Sequence, residues 1–587
     1  MEDGLYISAY IAPPGSAPGE NRSWVRHDQN MSAWLKRGTA VELVAVWEFE
    51  RISGYKHHGV ALKNKSAFHE LLSELLHGVG LRISDVKDIW GTPGLGSGAH
   101  DVVATAVPDL PYHSRCHLLG GMLSDTRHFF EGRVLGLAVD DTPDSVVQRK
   151  PQNWYVGGYA DHGSFELFPI PSPAKLYSAA SRAFRMREGT LMALATASSA
   201  RLAPDIGNPF TGLEIYSRHL ADGRDADEEI ARRLEQLVDQ AGHEGLEDID
   251  DRFSTADSIA SAVMKAVQQT SVDLIAQTIE RALDRFDIDP ADTALAITGG
   301  YALNCPTNSA MMDRFGFATF LETPSVSDCG QSIGLALAQF LRRFPDGFSF
   351  QFPGAYLGGD TGRPEKMIAE FRPYISSVTP YAKETAVADL IRGPVAWVQG
   401  RSEVGPRALG HRSILADPRT PASRDMLNAL KRRQWWRPVA PIVLADQMPT
   451  WFDGDRISPY MLQTFTVSPD RGHLIPAVAH LDRTARVQTV SPSDDVGLYE
   501  LISAFAAQTG VPLLCNTSLN DHNEPIIETG AQAMNFCLRK GLSVLYLDDV
   551  RIEIDNHEAY PVRCPLPRRT SLFPTPTPGA DHREDRR

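Results

Sequence analysis

Stretches of branched, apolar residues alternate with stretches of helical periodicity along most of this chain. Residues 41–50 (VELVAVWEFE), 133–140 (RVLGLAVD), 293–298 (TALAIT), 394–399 (PVAWVQ) and 542–547 (LSVLYL) predict strands from their β-branched and apolar content. Residues 273–286 (DLIAQTIERALDRF) place Leu274, Ile275, Ile279, Ala282, Leu283 and Phe286 on one face, which predicts an amphipathic helix. Alternation of the two periods predicts an α/β fold built in layers. The stretch 222–251 is acidic and helical and reads most simply as a surface insertion. The pattern breaks at 372–386 (RPYISSVTPYAKETA), which divides a first domain, 1–375, from a second, 376–564. From Pro565 to residue 587 the chain is Pro-rich and charged, and disorder is expected. No internal repeat is visible in the sequence.

The chain has 587 residues, too many for one core, and the length predicts about three or four lobes. No apolar run approaches the ~18 residues of a membrane span, and the start, MEDGLYISAYIAPPG, lacks the basic region of a signal peptide. Six scattered cysteines without a CxxC pair argue for a reducing cytoplasm and against a disulfide framework or a thiolate zinc site. A soluble cytoplasmic protein without a membrane partner is therefore expected. The formal charge is -15, which disfavours a nucleic-acid partner. Against that acidity, residues 400–437 hold nine Lys or Arg and only Glu403, Asp417 and Asp425. The island lies among glycines and prolines, so it reads as loop backbone around a phosphate-rich small ligand, with a solvated basic face as the alternative.

His113 and His117 stand at i and i+4, one face of a helix about 6 Å apart, where both can reach one cation. Asp140 ends a predicted strand and Asp328 precedes a helical pattern, positions where ligands collect in open α/β sheets. The other readings are a turn residue for Asp140 and a helix N-cap for Asp328. Two imidazoles with two carboxylates suit iron, zinc or manganese rather than calcium. Gly299-Gly300 follow a predicted strand, where glycine lets backbone approach a nucleotide; a tight turn is the commoner reason for such a pair.

The motifs GRSEVGPRALGHRSILADPR (400–419), NALKRRQWWRPVAPIVL (428–444), SPYM (458–461), IPAVAHLDRTARVQTV (475–490) and CNTSLNDHNEPI (515–526) resemble, in this order, the O-carbamoyltransferases of nodulation-factor and antibiotic biosynthesis. HDQNMSAWL (27–35), EFERISGYKHH (48–58), ITGGYALNC (297–305) and SDCGQSIGLAL (327–337) resemble that family's N-terminal half. The resemblance implies an ASKHA domain (actin/hexokinase-like, akin to the threonylcarbamoyl-transferase of tRNA modification) followed by a YrdC-like α/β domain. It implies that carbamoyl phosphate and ATP, with Mg2+ as a candidate helper, give carbamoyl-adenylate in the second domain. The carbamoyl group then passes to a hydroxyl of a secondary metabolite such as a macrolide, ansamycin or aminoglycoside. By resemblance, Lys431, Met461 and Ser518 line the adenylation site. Arg407, Arg412, Arg437 and Arg486 can grip phosphate, while Asn516 and Thr517 offer short polar donors. His113, His117, Asp140 and Asp328 would hold Fe(II) or another divalent ion, His27 would take the acceptor proton, and Gly299, Gly300 and Asn304 would hold the nucleotide. The insertion at 11–23 and the segment 188–197 depart from the family pattern, which predicts altered acceptor specificity. A tRNA threonylcarbamoyl-transferase-like enzyme and a catalytically silent nucleotide-binding homologue are the competing readings. The sequence leaves acceptor and oligomeric state open.

Overall fold

The structure is a computed structural model that describes residues 1–16, 26–92, 94–96, 112–141, 155–203, 206–213, 215–216, 220, 224–246, 248–344 and 346–574. The α/β expectation holds. A first sheet contains β1 (Gly4–Tyr10), β2 (Asn30–Arg37), β3 (Ala40–Glu48) and β4 (Val86–Trp90) in the order β3-β2-β1-β4. Its β2 is antiparallel to β1 and β3, and β4 runs parallel to β1. A second sheet contains β5 (Arg133–Ala138), β6 (Tyr155–Asp161), β7 (Ser164–Ile170), β8 (Thr293–Thr298) and β9 (Thr319–Phe320), ordered β7-β6-β5-β8-β9. Here too the first three strands pair antiparallel, and the next lies parallel on the far side of the first. One topology is thus used twice, although the sequence shows no repeat. Backbone pairing sets topology, while side chains are free to diverge.

Two helices join these sheets, Tyr112–Met122 and Gln331–Arg343. They cross where Gly120 meets Gly334. A Cβ on Gly334 would lie 1.8 Å from the Cys116 carbonyl oxygen, and one on Gly120 would lie 3.5 Å from the Gly334 Cα. The amphipathic segment 273–286 is the C-terminal end of a longer helix, Thr255–Phe286, started by a capping box between Ser254 and Asp257. The acidic stretch is more than a surface insertion. Its helix Ala226–Glu244 buries Ile230, Leu234, Leu237 and Ala241, together with Glu229, which is paired with Arg224, Arg232 and Arg233.

The second part of the chain is built on β10 (Ile375–Pro380), β11 (Val395–Val398), β12 (Arg412–Ala416), β13 (Ala440–Leu444), β14 (Thr464–Thr466), β15 (Thr484–Arg486), β16 (Gln488–Val490), β17 (Leu513–Ser518), β18 (Val544–Leu547) and β19 (Val550–Ile554). β14 and β15 form a ribbon, and the others form one mixed sheet ordered β10-β19-β18-β11-β12-β17-β13-β16. A single core runs from Met367 to Tyr560. Disorder from Pro565 does not hold for residues 565–574. Phe573 is 2% exposed, its ring 4.5 Å from that of His58 and 6.2 Å from that of Phe49, and Arg568 donates to the Arg51 carbonyl at 2.9 Å. One aromatic anchor outweighs a disorder-prone composition there. Residues 575–587 lie outside the described residues, as do residues 17–23 of the 11–23 insertion.

Gly334→Ala is expected to lower thermal stability by the ~1–3 kcal/mol typical of overpacking. At Gly189, where nothing lies within 4 Å, the same change is expected to be neutral or slightly stabilising. Calorimetry of the two variants checks this.

Candidate functional site

The two helices that cross at glycine bring together four side chains the sequence had singled out. His113 and His117 project from one face of Tyr112–Met122, Asp140 stands two residues beyond β5, and Asp328 opens the turn before Gln331–Arg343. The His113 and His117 Nε2 atoms are 3.2 Å apart. Asp140 Oδ2 lies 2.9 and 3.1 Å from them, and Asp328 Oδ1 lies 3.4 and 3.1 Å from them. All four ligand atoms fall within 4.8 Å of one another. Such spacings match the edges of a coordination shell with bonds of about 2.0–2.2 Å. The other Asp328 oxygen, Oδ2, is buried without a hydrogen bond. Two lone-pair nitrogens converging on two carboxylates is a donor set that fits a divalent iron, zinc or manganese ion.

The surroundings orient these donors. The Tyr10 hydroxyl (3.3 Å) and Gln331 Nε2 (3.4 Å) meet His113 Nδ1, which leaves Nε2 for the cluster. Burial opposes a charge on His117, yet hydrogen bonds to Asp140 and Asp328 carry its pKa up to about 9. Burial likewise opposes charge on Asp140, but the two imidazoles hold it well below the usual carboxylate range. Gly299 holds φ +90, and a Cβ there would also sit 2.2 Å from the Val139 carbonyl oxygen, while the Gly300 N–H donates to Asp140 Oδ1 at 3.3 Å. This glycine pair therefore borders the four-donor group. Asn304 does not serve as a free ligand-binding side chain. It is 2% exposed, its amide donates to Gln268 (2.9 Å) and Tyr177 (3.3 Å), and its oxygen caps the helix Cys305–Phe315.

His27 lies at the rim, 63% exposed, with Nδ1 2.8 Å from Asp28 Oδ2 and 3.3 Å from Asp328 Oδ2. The hydrogen bond to Asp28, then the charges of Asp328 and Asp140, push its pKa up to about 10. A divalent cation held by Asp140 and Asp328 would offset part of that field and return the imidazole toward the proton-accepting range.

The second group lies in the 400–520 region. Arg407, Arg433, Arg437 and Arg486 converge half-buried, and among the described residues none of them forms an ion pair. The Nε atoms of Arg407, Arg437 and Arg486 are buried without a hydrogen-bond partner. Burial first, and then repulsion from Arg486 and Arg433, pushes Arg407 down to about 9. Burial and repulsion from Arg433, Arg486 and Arg407 do the same to Arg437, and burial with Arg486 brings Arg433 down to about 10. Arg433 adjoins Thr517 Oγ1 at 3.5 Å, and Arg437 donates to Thr190 in the helix Glu188–Ala197. Like charges with idle donors are built to receive an anion.

Lys431 is 3% exposed and donates to the Ser518 carbonyl (2.6 Å), Ser518 Oγ (3.0 Å) and the Asn520 carbonyl (2.5 Å). Burial, with Arg433 and Lys56 nearby, pulls its pKa well below the ordinary lysine value. Met461 holds a left-handed backbone, φ +59, and packs with Leu409 and Ala440 beside the 405–410 loop. Asn516 ties that loop down by donating to the Ala408 carbonyl at 2.9 Å.

Arg412 is a correction. Fully buried, it donates to the carbonyls of Glu528, Gln399, His411, Gly359 and Gly400, so no arm is left to grip a phosphate. It braces the loop instead. Arg433, Thr190 and Asp28 were not singled out from the sequence. Arg433 shares the basic run but not its quoted fork-forming set, and Thr190 is visible only through contact across the two halves.

Residues 388–553 match the family described as carbamoyltransferase C-terminus. Nodulation protein NolO of Bradyrhizobium diazoefficiens is 35% identical over 262 residues, 43% of this chain and 48% of the relative. The 3'-hydroxymethylcephem-O-carbamoyltransferase of Amycolatopsis lactamdurans is 35% identical over 263 residues, 44% of this chain and 49% of the relative. Nodulation protein U of Rhizobium tropici is 32% identical over 400 residues, 65% of this chain and 66% of the relative. The chain spans about half the length of the first two of these relatives. Among solved structures, an activator of the 2-hydroxyisocaproyl-CoA dehydratase from Clostridium difficile aligns over 58% of this chain and 95% of its own at 9% identity, with a TM-score of 0.29.

Two outcomes are expected. Arg407→Ala removes one of four repelling charges, so thermal stability without ligand stays level or rises while affinity for ATP falls by a factor of about ten or more, at the ~1.5–3 kcal/mol of a charged hydrogen bond; calorimetry and titration with ATP read both. The purified parent protein is expected to carry a divalent metal, and His117→Ala and Asp140→Ala to lose most of it, as elemental analysis reads.

Proposed function

The chain carries a carbamoyltransferase C-terminal domain over residues 388–553, and from that premise we propose that it is an ATP-dependent O-carbamoyltransferase acting on a hydroxylated small molecule. The observation that carries this reading is the convergence of Arg407, Arg433, Arg437 and Arg486, with idle Nε donors on Arg407, Arg437 and Arg486. Polyphosphate is the ligand such a site calls for. With one water, carbamoyl phosphate and ATP become carbamoyl-adenylate, phosphate and pyrophosphate. The arginines hold phosphate oxygens through planar forks, while buried Lys431 donates to the Ser518 carbonyl and hydroxyl and to Asn520 and so fixes the Ser518 loop beside them. The eight-stranded unit is read as the YrdC-like domain of this reaction.

The repeated topology of the first two sheets supports an ASKHA reading of the N-terminal part, with transfer at their junction. A divalent ion such as Fe(II) on His113, His117, Asp140 and Asp328 would supply Lewis-acid polarisation of the carbamoyl oxygen. His27 takes the acceptor proton on Nε2 as the hydroxyl oxygen bonds to the carbamoyl carbon. The bond from that carbon to the adenylate oxygen breaks, and AMP leaves with its electron pair. The Gly299-Gly300 turn gives backbone, not side chain, to whatever sits against Asp140.

Lys431→Ala is expected to abolish pyrophosphate release from ATP and carbamoyl phosphate. His27→Asn is expected to retain that release and to lose transfer by the 10²–10⁴-fold typical of a missing general base. Mass detection of carbamoylated products from a panel of hydroxylated natural products, run beside a pyrophosphate assay, reads both. Equal loss of pyrophosphate release in the two variants defeats the two-site reading.

A further inference from the structure

Beside His27 runs a chain of contacts that the proposed reaction has not used. Asp28 Oδ2 meets His27 Nδ1 at 2.8 Å, and Asp28 Oδ1 meets His57 Nδ1 at 3.0 Å. The His57 backbone N–H donates to Glu50 Oε2 at 3.0 Å, which fixes where the second imidazole starts from. Asp28 and His57 both hold left-handed backbone, φ +52 and +55, and they are the two residues whose side chains meet. Asp and His tolerate that region better than most residues, yet paired occurrences mark a place where geometry is over-determined by its surroundings.

The surrounding structure is rigid where this chain is anchored. Asn30 is 0% exposed and donates to the Asp28 carbonyl (2.7 Å) and the Asp328 carbonyl (2.8 Å), while its oxygen accepts from the Ser332 N–H (2.9 Å). Thus the backbone of Asp28 is tied to the backbone of Asp328. The His57 imidazole, 63% exposed, is not needed to close a core. Exposed ion pairs of this kind add little to stability. Their use must lie elsewhere.

We propose that His57, acting through Asp28, is the positioning residue for His27. It rests on the reading of His27 as the proton acceptor. Asp28 engages Nδ1 of His27 through Oδ2, and His57 Nδ1 meets Asp28 Oδ1 at 3.0 Å and Oδ2 at 3.3 Å, which holds the carboxylate from its other side. Among the described residues His27 Nε2 is unengaged, and this arrangement keeps it as the available nitrogen. An imidazole held at one nitrogen by a carboxylate that is itself oriented is the recurring design of a positioned base.

The test needs no acceptor. The full chain is treated with diethyl pyrocarbonate over a range of pH up to mildly alkaline, so that a neutral fraction of His27 is present, and the rate of carbethoxylation at His27 is followed by peptide mass mapping. Two variants suit the left-handed backbone, His57→Gly, which removes the side chain, and His57→Asn, whose amide nitrogen stands where Nδ1 stood. The expected result is a His27 labelling rate that changes by about fivefold or more in His57→Gly, the scale of one oriented hydrogen bond, and stays near the parent value in His57→Asn. Thermal midpoints within about 2 °C of the parent in both variants exclude a folding effect. An unchanged rate in His57→Gly overturns the proposal, as does a change in His57→Asn as large as that in His57→Gly. The base reading fails separately, when His27→Asn transfers normally, and that outcome leaves the labelling result standing.

Discussion

The four-donor group depends on two helices touching at their backbones. Asp328 reaches His117 only because Gln331–Arg343 crosses Tyr112–Met122 with Gly334 against the Cys116 carbonyl, at a distance no side chain permits. Gly120 completes the crossing from the other side. Dispersion and buried apolar area from Leu118, Leu119, Ile333, Leu335 and Leu337 then hold the pair together. A wider crossing would carry Asp328 away from both imidazoles and leave carboxylates and histidines as separate surface features. The close approach that joins the four donors therefore depends on the missing methyl group of Gly334.

The other half is arranged around a cost. Converging guanidinium groups repel, and taking them partly out of water adds a desolvation penalty that no carboxylate among the described residues offsets. Two arginines five residues apart show the contrast. Arg412 gives its donors to five backbone carbonyls and is a structural brace, whereas Arg407 gives its Nε to nothing. Stability is supplied by the surrounding core of β11, β12, β13 and β17, which leaves the arginine cluster free to be electrostatically poor until an anion arrives. Local charge in a protein is read correctly only with its partners in view.

Much of this was legible in the chain. Strand content at 133–140 and 293–298, the i and i+4 spacing of His113 and His117, and carboxylates at the ends of a strand and before a helix are local signals, and all four donors met. The basic run also marked the right region. What failed to show were properties set by distant partners. Asn304 follows a glycine pair as a nucleotide-contacting residue might, yet Gln268 and Tyr177, far away in sequence, consume its amide. The tail at 565–574 looked unstructured because composition averages over one phenylalanine that finds a slot between His58 and Phe49. The twice-used sheet topology left no trace because pairing order is carried by backbone hydrogen bonds.

The two sites also share a short piece of chain. Gly300 touches Asp140, while Cys305, five residues on, lies in the field of Arg407 and Arg486 and bonds the Met461 carbonyl through Sγ at 3.2 Å. Between them runs the 3-10 turn Gly300–Leu303, which advances about 2 Å per residue, so the backbone separating the sites is on the order of 10 Å long. Asn308 fastens this turn across the halves by donating to the carbonyls of Ala302 and Leu462, both at 2.8 Å. Ser309 Oγ adds a bond to the Thr464 carbonyl at 2.8 Å. These bonds tie the segment beside Asp140 directly to the 460–465 segment of the second half. In the proposed reaction, this bonded turn puts the activation and transfer steps on adjoining stretches of one chain, an arrangement that favours use of a water-sensitive intermediate before it escapes.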